Sequence, residues 1–203
     1  MMLSLTRYPC FFALLVSALL PINSYGAGWS LNDARPELGT FALGLLSGIV
    51  AHEAGHYAVA TSKGYKVSHD GLSIVYPDAV FRGSDQLKVA SAGFQAQWLV
   101  TEMVLRDRNG KEIKQPPGSF GAGVVCAHLG ITLAYLTVLK NHSQGDIAGM
   151  AQATGNTKTQ LSLAMAVPGI LDAWRLFGND VPEWVPQVSL VSKGVGIYRI
   201  WNY

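Results

Sequence analysis

Between Leu38 and Ala60 the only acidic, basic or imidazole side chains are His52, Glu53 and His56, and no other feature of the chain constrains its fold as strongly. A helix over 38–60, rising about 1.5 Å per residue, is long enough to cross roughly 30 Å of hydrocarbon. The polar cluster follows directly on the apolar run from Phe41 to Ala51, where burying it costs several kcal/mol of desolvation unless something neutralises it. On a helix the i, i+4 spacing stacks His52 and His56 on one face, so two imidazoles can grip one ion. Glu53 is offset by one residue, which suits a general base acting on water at that ion. Zinc fits this donor set: it accepts imidazole nitrogen and, in catalytic sites, keeps one position open. The competing reading is a solvated polar helix face, and the apolar context argues against it.

Composition agrees with a lipid setting. Only 14% of the 203 residues are charged against 49% hydrophobic, well under the roughly 25% charge usual in soluble chains. A net charge of +2, with no basic cluster interleaved with aromatics, leaves no basis for a nucleic-acid partner. Cys10 and Cys126 lie in apolar stretches and read as packing residues. Arg7, the apolar run Cys10 to Leu20 and the small residues Ser24, Gly26 and Ala27 have the three parts of a secretory signal, cleaved or kept as an anchor.

Ser119 to Leu139 is a second spanning candidate, interrupted only by His128. Val89 to Leu105 and Gln160 to Phe177 are shorter apolar segments carrying Glu102 and the Asp172/Arg175 pair, whose charges must face protein or water. Tyr65 to Ser68 and Leu72 to Tyr76 flank Asp70-Gly71 and read as a β-hairpin. Arg106 to Gly118 reads as a charged loop and Asn141 to Thr159 as a polar linker. Val195 to Trp201 reads as a strand in the tail. The expected architecture is an all-α membrane protein: about four transmembrane helices, an N-terminal signal or anchor over 1–27, a membrane-embedded domain over 28–180 with a small hairpin after the metal helix, and a tail over 181–203. Lys and Arg are balanced between the connecting loops, so the positive-inside rule does not choose an orientation.

The stretch from Ile49 to Ala60, reading apolar run, His-Glu-Ala-Gly-His and small residues, followed by Gly64 and Val67, resembles the metal helix of the site-2 protease family of intramembrane zinc proteases. The likeness extends through the hairpin into Ala90 to Gln97, where Gly93 matches and Phe94 stands in the place of a proline. It ends in Pro168 to Arg175, similar to the family's second motif, with Ala173 where a glycine is usual. The asparagine preceding that turn has no counterpart, Ala164 standing near its place. The resemblance implies zinc held by His52, His56 and Asp172, Glu53 as catalytic base, a membrane-protein substrate hydrolysed at a peptide bond, and a multi-pass location in a bacterial inner membrane. The proline before Asp172 can bend its helix and aim the carboxylate inward. The alternative for Asp172 is an i, i+3 pair with Arg175.

Asp146 is the second candidate for the third ligand, otherwise a helix cap or solvent-facing residue. His128 reads as a proton relay or a satisfied core histidine. Glu102 reads as an orienting partner for a ligating histidine or a water-facing partner of Arg106. His69 and His142 read as loop residues. Two other functions fit the chain: a soluble exported zinc peptidase, and a membrane protein that binds metal without cleaving anything.

Overall fold

The computed structural model describes residues 28–71, 73–106 and 116–203. The signal or anchor expected over 1–27 lies outside them, as do Leu72 and most of the loop expected after Arg106. The described chain is mostly helical with one small antiparallel sheet. After a single turn, α1 (Leu31–Ala34), come the long helices α2 (Leu38–Ser62), α3 (Gly83–Leu105), α4 (Ser119–Thr137), α6 (Lys158–Phe177) and α7 (Trp184–Trp201), with a short α5 (Asp146–Thr154) before α6. The hairpin of β1 (Ser68–Asp70) and β2 (Ser73–Val75) joins α2 to α3. Asp70, expected in its turn, instead ends β1 opposite Ser73. Gly71 follows at φ 64°, a left-handed conformation that a residue without Cβ adopts at no steric cost.

Helix α2 is apolar almost all round, and its inward stripe is Phe41, Gly44, Gly48, His52, His56 and Ala60. The two glycines allow backbone contact: a Cβ on Gly44 would lie 2.0 Å from the Phe120 carbonyl oxygen, and one on Gly48 would lie 2.5 Å from the Ala127 Cβ. Helix α4 therefore nests directly against α2. On the other side Gly55 sits against the Ala92 carbonyl while His52, earlier in α2, reaches Gln97, later in α3, so α3 runs antiparallel to α2. Both histidines are thus clamped between neighbouring helices.

Apolar side chains face outward as well as inward. Leu43 in α2 is 61% exposed, Met103 in α3 78%, Ile170 in α6 63% and Val191 in α7 62%, while Gln97, Thr101, His128, Asp172, Ser189 and Lys193 are buried. Scattered exposed leucines are ordinary on a soluble protein; apolar residues on the outer faces of several long helices, with ionisable ones inside, are not. Among the described residues two helical stretches, Asn32–Ser62 and Ser119–Thr137, are long and apolar enough to cross a membrane.

The strand expected over Val195 to Trp201 is part of α7. Val185, Pro186, Ser189, Lys193 and Ile200 are its buried residues, a helical period disguised because two of the five are polar. Within the expected linker 141–159, α5 buries Ile147, Ala148 and Met150. The tail expected from 181 is likewise part of the bundle, since α7 packs on α6 and α3.

Candidate metal centre

Each histidine is oriented through the nitrogen that faces away from the site. His56 Nδ1 lies 2.8 Å from the Val89 carbonyl oxygen, which can only accept, so Nδ1 carries the proton and Nε2 presents a lone pair. His52 Nδ1 lies 3.2 Å from Gln97 Oε1 and takes the same tautomer by donating to it. The two Nε2 atoms then face each other 3.2 Å apart. Asp146 closes the set, its Oδ2 lying 3.0 Å from His52 Nε2 and its Oδ1 3.3 Å from His56 Nε2. One donor atom from each of His52, His56 and Asp146 falls within 4.8 Å of the others.

Two imidazoles and a carboxylate converging in a buried site need a positive charge among them, which a proton on an imidazole or a bound cation can supply. This group could therefore hold a metal ion. Burial pushes the Asp146 carboxyl up, but the charges and hydrogen bonds of His56 and His52 outweigh it and hold the group well below the usual carboxylate range. It stays ionised, as ligation requires.

The cradle for this pair is a missing side chain. A Cβ on Gly93 would come within 2.4 Å of His52 Cε1 and 2.5 Å of the Nε2 atoms of both histidines, so only glycine leaves room for the imidazoles against α3. Gly93→Ala is expected to cost metal affinity by about 100-fold, at least the upper end of the loss when an orienting partner is removed, with the helices still formed. Metal content by elemental analysis beside circular dichroism checks this.

Asp146 reaches the site from the start of α5. Gly145 precedes it at φ 111°, in the region that favours glycine, and the Asp146 amide donates to the Tyr135 hydroxyl at 3.3 Å. Gly149 lets α5 lie against Ala90 of α3, where a Cβ would be 2.9 Å from the alanine's own. The pocket in front of the three donors holds roughly 300 Å³ and is lined by Glu53, Tyr76 and Tyr135 among others. Glu53 Oε2 accepts the Ile74 amide proton of β2 at 2.8 Å, so the hairpin fixes this carboxylate at the pocket wall. Burial, then the negative charges of Asp146 and Glu53, raises the Tyr76 phenol above its usual range and keeps it protonated.

Asp172, expected as the third ligand, is placed elsewhere. Its Oδ1 accepts from Arg175 at 2.9 Å and from the Ser189 hydroxyl at 2.7 Å, and its Oδ2 lies 2.6 Å from Lys193 Nζ. The i, i+3 pair with Arg175 is thus the arrangement observed. The proline at 168 does not turn the carboxylate toward the histidines, because α6 continues through it to Phe177 and two buried cations already claim Asp172. Glu102 joins the same network, bound to Arg175, Lys193 and Arg106, and orients no ligand. His128 is fully buried, with Nε2 3.7 Å from Asp172 Oδ2 and Nδ1 3.5 Å from the Thr132 hydroxyl. His69 is exposed on β1.

Sequence reasoning missed Gln97 and Val89 as orienting groups and placed Asp146 second. The usable signal for Asp146 was a Gly-Asp pair opening the apolar helical turns that bury Ile147, Ala148 and Met150. In comparisons with known proteins the chain matches no family model, no curated protein and no solved structure.

Proposed function

We propose that this chain is a membrane-embedded zinc metalloprotease in which His52, His56 and Asp146 hold the ion and Glu53 is the general base. The observation that carries this reading is the convergence of three ionisable donors and a fourth, unligated carboxylate on one pocket, built on a helix long and apolar enough to cross a membrane. Two nitrogens and one carboxylate are a donor set found in catalytic zinc sites. When bound, zinc would acidify water to a pKa of about 7 and polarise the scissile carbonyl. Glu53 would take the proton of the attacking water on its free carboxylate oxygen and return it to the departing amine. Gln97 and Val89 hold both imidazoles in the tautomer that presents Nε2, and Gly93 keeps them in register.

The bilayer reading rests on the exposed apolar faces of the long helices and the ionisable groups buried between them. Helices α3, α6 and α7, at 23, 20 and 18 residues, are about 27 to 35 Å long at 1.5 Å per residue. With α2 and α4 they form a multi-pass bundle. An extended segment of a membrane-protein substrate would approach the hairpin, whose β2 edge adjoins Glu53, and add to it as a strand.

The test uses full-length protein in bilayers with a membrane-anchored reporter. Cleavage is expected to cease on treatment with a chelator and to return with stoichiometric zinc, and carbonate washing is expected to leave the protein in the membrane. Cleavage indifferent to chelation would overturn the metal mechanism, and release by carbonate would favour a soluble exported peptidase.

A further inference from the structure

Helix α7 is bounded by two exposed tryptophans, Trp184 at its first residue and Trp201 at its last. They stand about 26 Å apart along the axis at 1.5 Å per residue, close to the roughly 30 Å of a bilayer's hydrocarbon core. Tryptophan concentrates at the two surfaces of that core. The two ends differ in charge. Trp184 packs edge-on against Trp174 at 5.5 Å, and the acidic Asp180 and Glu183 come just before it in the chain. Trp201 is met by cations: the ammonium groups of Lys63, just past the end of α2, and of Lys88, in the second turn of α3, each lie 5.8 Å from a ring centroid of its indole.

The Trp201 ring is fixed, since its Nε1 donates to Gln95 Oε1 of α3 at 2.8 Å, so three helices contribute to one ordered cluster. One carboxylate sits beside the two ammonium groups. Asp85 lies 3.3 Å from Lys63 and also accepts from the Tyr65 hydroxyl at 3.1 Å, which leaves the cluster with an excess positive charge. From Trp201 toward the middle of the bundle, α7 turns Tyr198, Val195 and Val191 outward, a spacing of three, three and four residues that keeps them on one face. Gly194 opens that face further, for a Cβ there would meet nothing within 4 Å. A cationic head position with an apolar track running from it is complementary to a lipid that carries a negatively charged phosphate and an acyl chain. A zwitterionic headgroup brings its own cation and meets the lysines less favourably.

We propose that Lys63, Lys88 and Trp201 form a headgroup site for an anionic glycerophospholipid, whose acyl chain lies along Tyr198, Val195 and Val191. The proposal rests on the bilayer reading and adds to it the class of lipid selected and the end of the bundle that selects it. A lipid seated there joins the end of α2 to α3 and α7. Because α2 carries His52 and His56 and α3 carries Gly93 and Gln97, the bound lipid stabilises the helix pair that clamps the imidazoles.

The test uses the full-length chain in a nonionic detergent, titrated with phosphatidylglycerol or with phosphatidylcholine of the same acyl chains, and native mass spectrometry counts the lipid retained. Phosphatidylglycerol is expected to bind wild type in preference to phosphatidylcholine. It is expected to bind Lys63→Gln/Lys88→Gln more weakly by about 25-fold, at about 5-fold for each lysine close to an anionic surface. Lys66→Gln/Lys140→Gln removes the same charge elsewhere on the chain and is expected to stay within about twofold of wild type. Circular dichroism checks that each variant keeps its helices; should the first double variant unfold, Lys88→Gln alone carries the test with a loss of about 5-fold. Phosphatidylcholine bound as tightly as phosphatidylglycerol, or undiminished binding in the Lys63/Lys88 variant, overturns the site. Equal loss in both double variants reduces it to diffuse attraction by net charge and also overturns it, as does displacement of the lipid by inorganic phosphate. Wild-type protein washed from vesicles by carbonate refutes the bilayer reading itself, an outcome distinct from a chain that stays in the vesicles and shows no preference for the anionic lipid.

Discussion

Replacing Asp146 with alanine is expected to strip the metal from this protein, whereas replacing Asp172 leaves the metal in place and weakens the fold. Asp146 supplies both carboxylate oxygens facing the imidazoles. Without it two histidines remain, and affinity should fall by more than about 100-fold, beyond the loss attributed to an orienting partner alone. Activity should fall with it. Asp172 answers to Arg175, Ser189 and Lys193, and its removal leaves two buried cations sharing Glu102. Breaking a buried pair in this way costs about 3–5 kcal/mol, here toward the lower end because Glu102 still binds both. Zinc content and a detergent unfolding curve for each variant separate the two effects. Loss of zinc from folded Asp172→Ala, with zinc retained in Asp146→Ala, would reverse the assignment.

The second large effect is expected for Glu53→Gln, with metal content unchanged and turnover reduced by about 10³-fold, within the range attributed to a positioned general base. The amide keeps the shape, and its oxygen can still accept the Ile74 amide proton that Glu53 accepts now, so the hairpin has no reason to shift. What is lost is the capacity to hold a proton. Single-turnover cleavage by the zinc-loaded variant, beside elemental analysis, measures this directly. Undiminished cleavage would mean that another group activates the water.

The parts of this site that the sequence discloses are those whose geometry is local. His52, Glu53 and His56 lie within five positions of one helix, and the i, i+4 rule alone puts both imidazoles on one face. The third donor depends on where α5 lands after two further long helices, and nothing local carries that information. Asp172 was the more conspicuous acid because it sits in an apolar segment, where an unpaired carboxylate invites a functional reading. Its pairing with Arg175 was visible at i, i+3, but its pairing with Lys193 was not, because Val195 to Trp201 looks β-prone and gives no reason to extend a helix around Lys193. The same misreading hid α7. The hairpin and the extents of α2 and α4 were legible from turn chemistry and unbroken apolar length. Helix α5 was not, its few buried residues being diluted by Gly, Gln and Thr.

The donors His52 and Asp146 are separated by 94 positions along the chain. At roughly 5 to 20 residues per second of synthesis, the histidines exist for about 5 to 20 s before the carboxylate does. During that interval a nascent chain offers an ion two imidazoles and no third anchor, so anything captured early escapes easily. Retention becomes possible only when Gly145 has turned the chain and the intervening helices have found their neighbours. At the proposed centre stable occupancy would therefore be a timestamp: a molecule that keeps an ion there would have completed the assembly of α2 through α5.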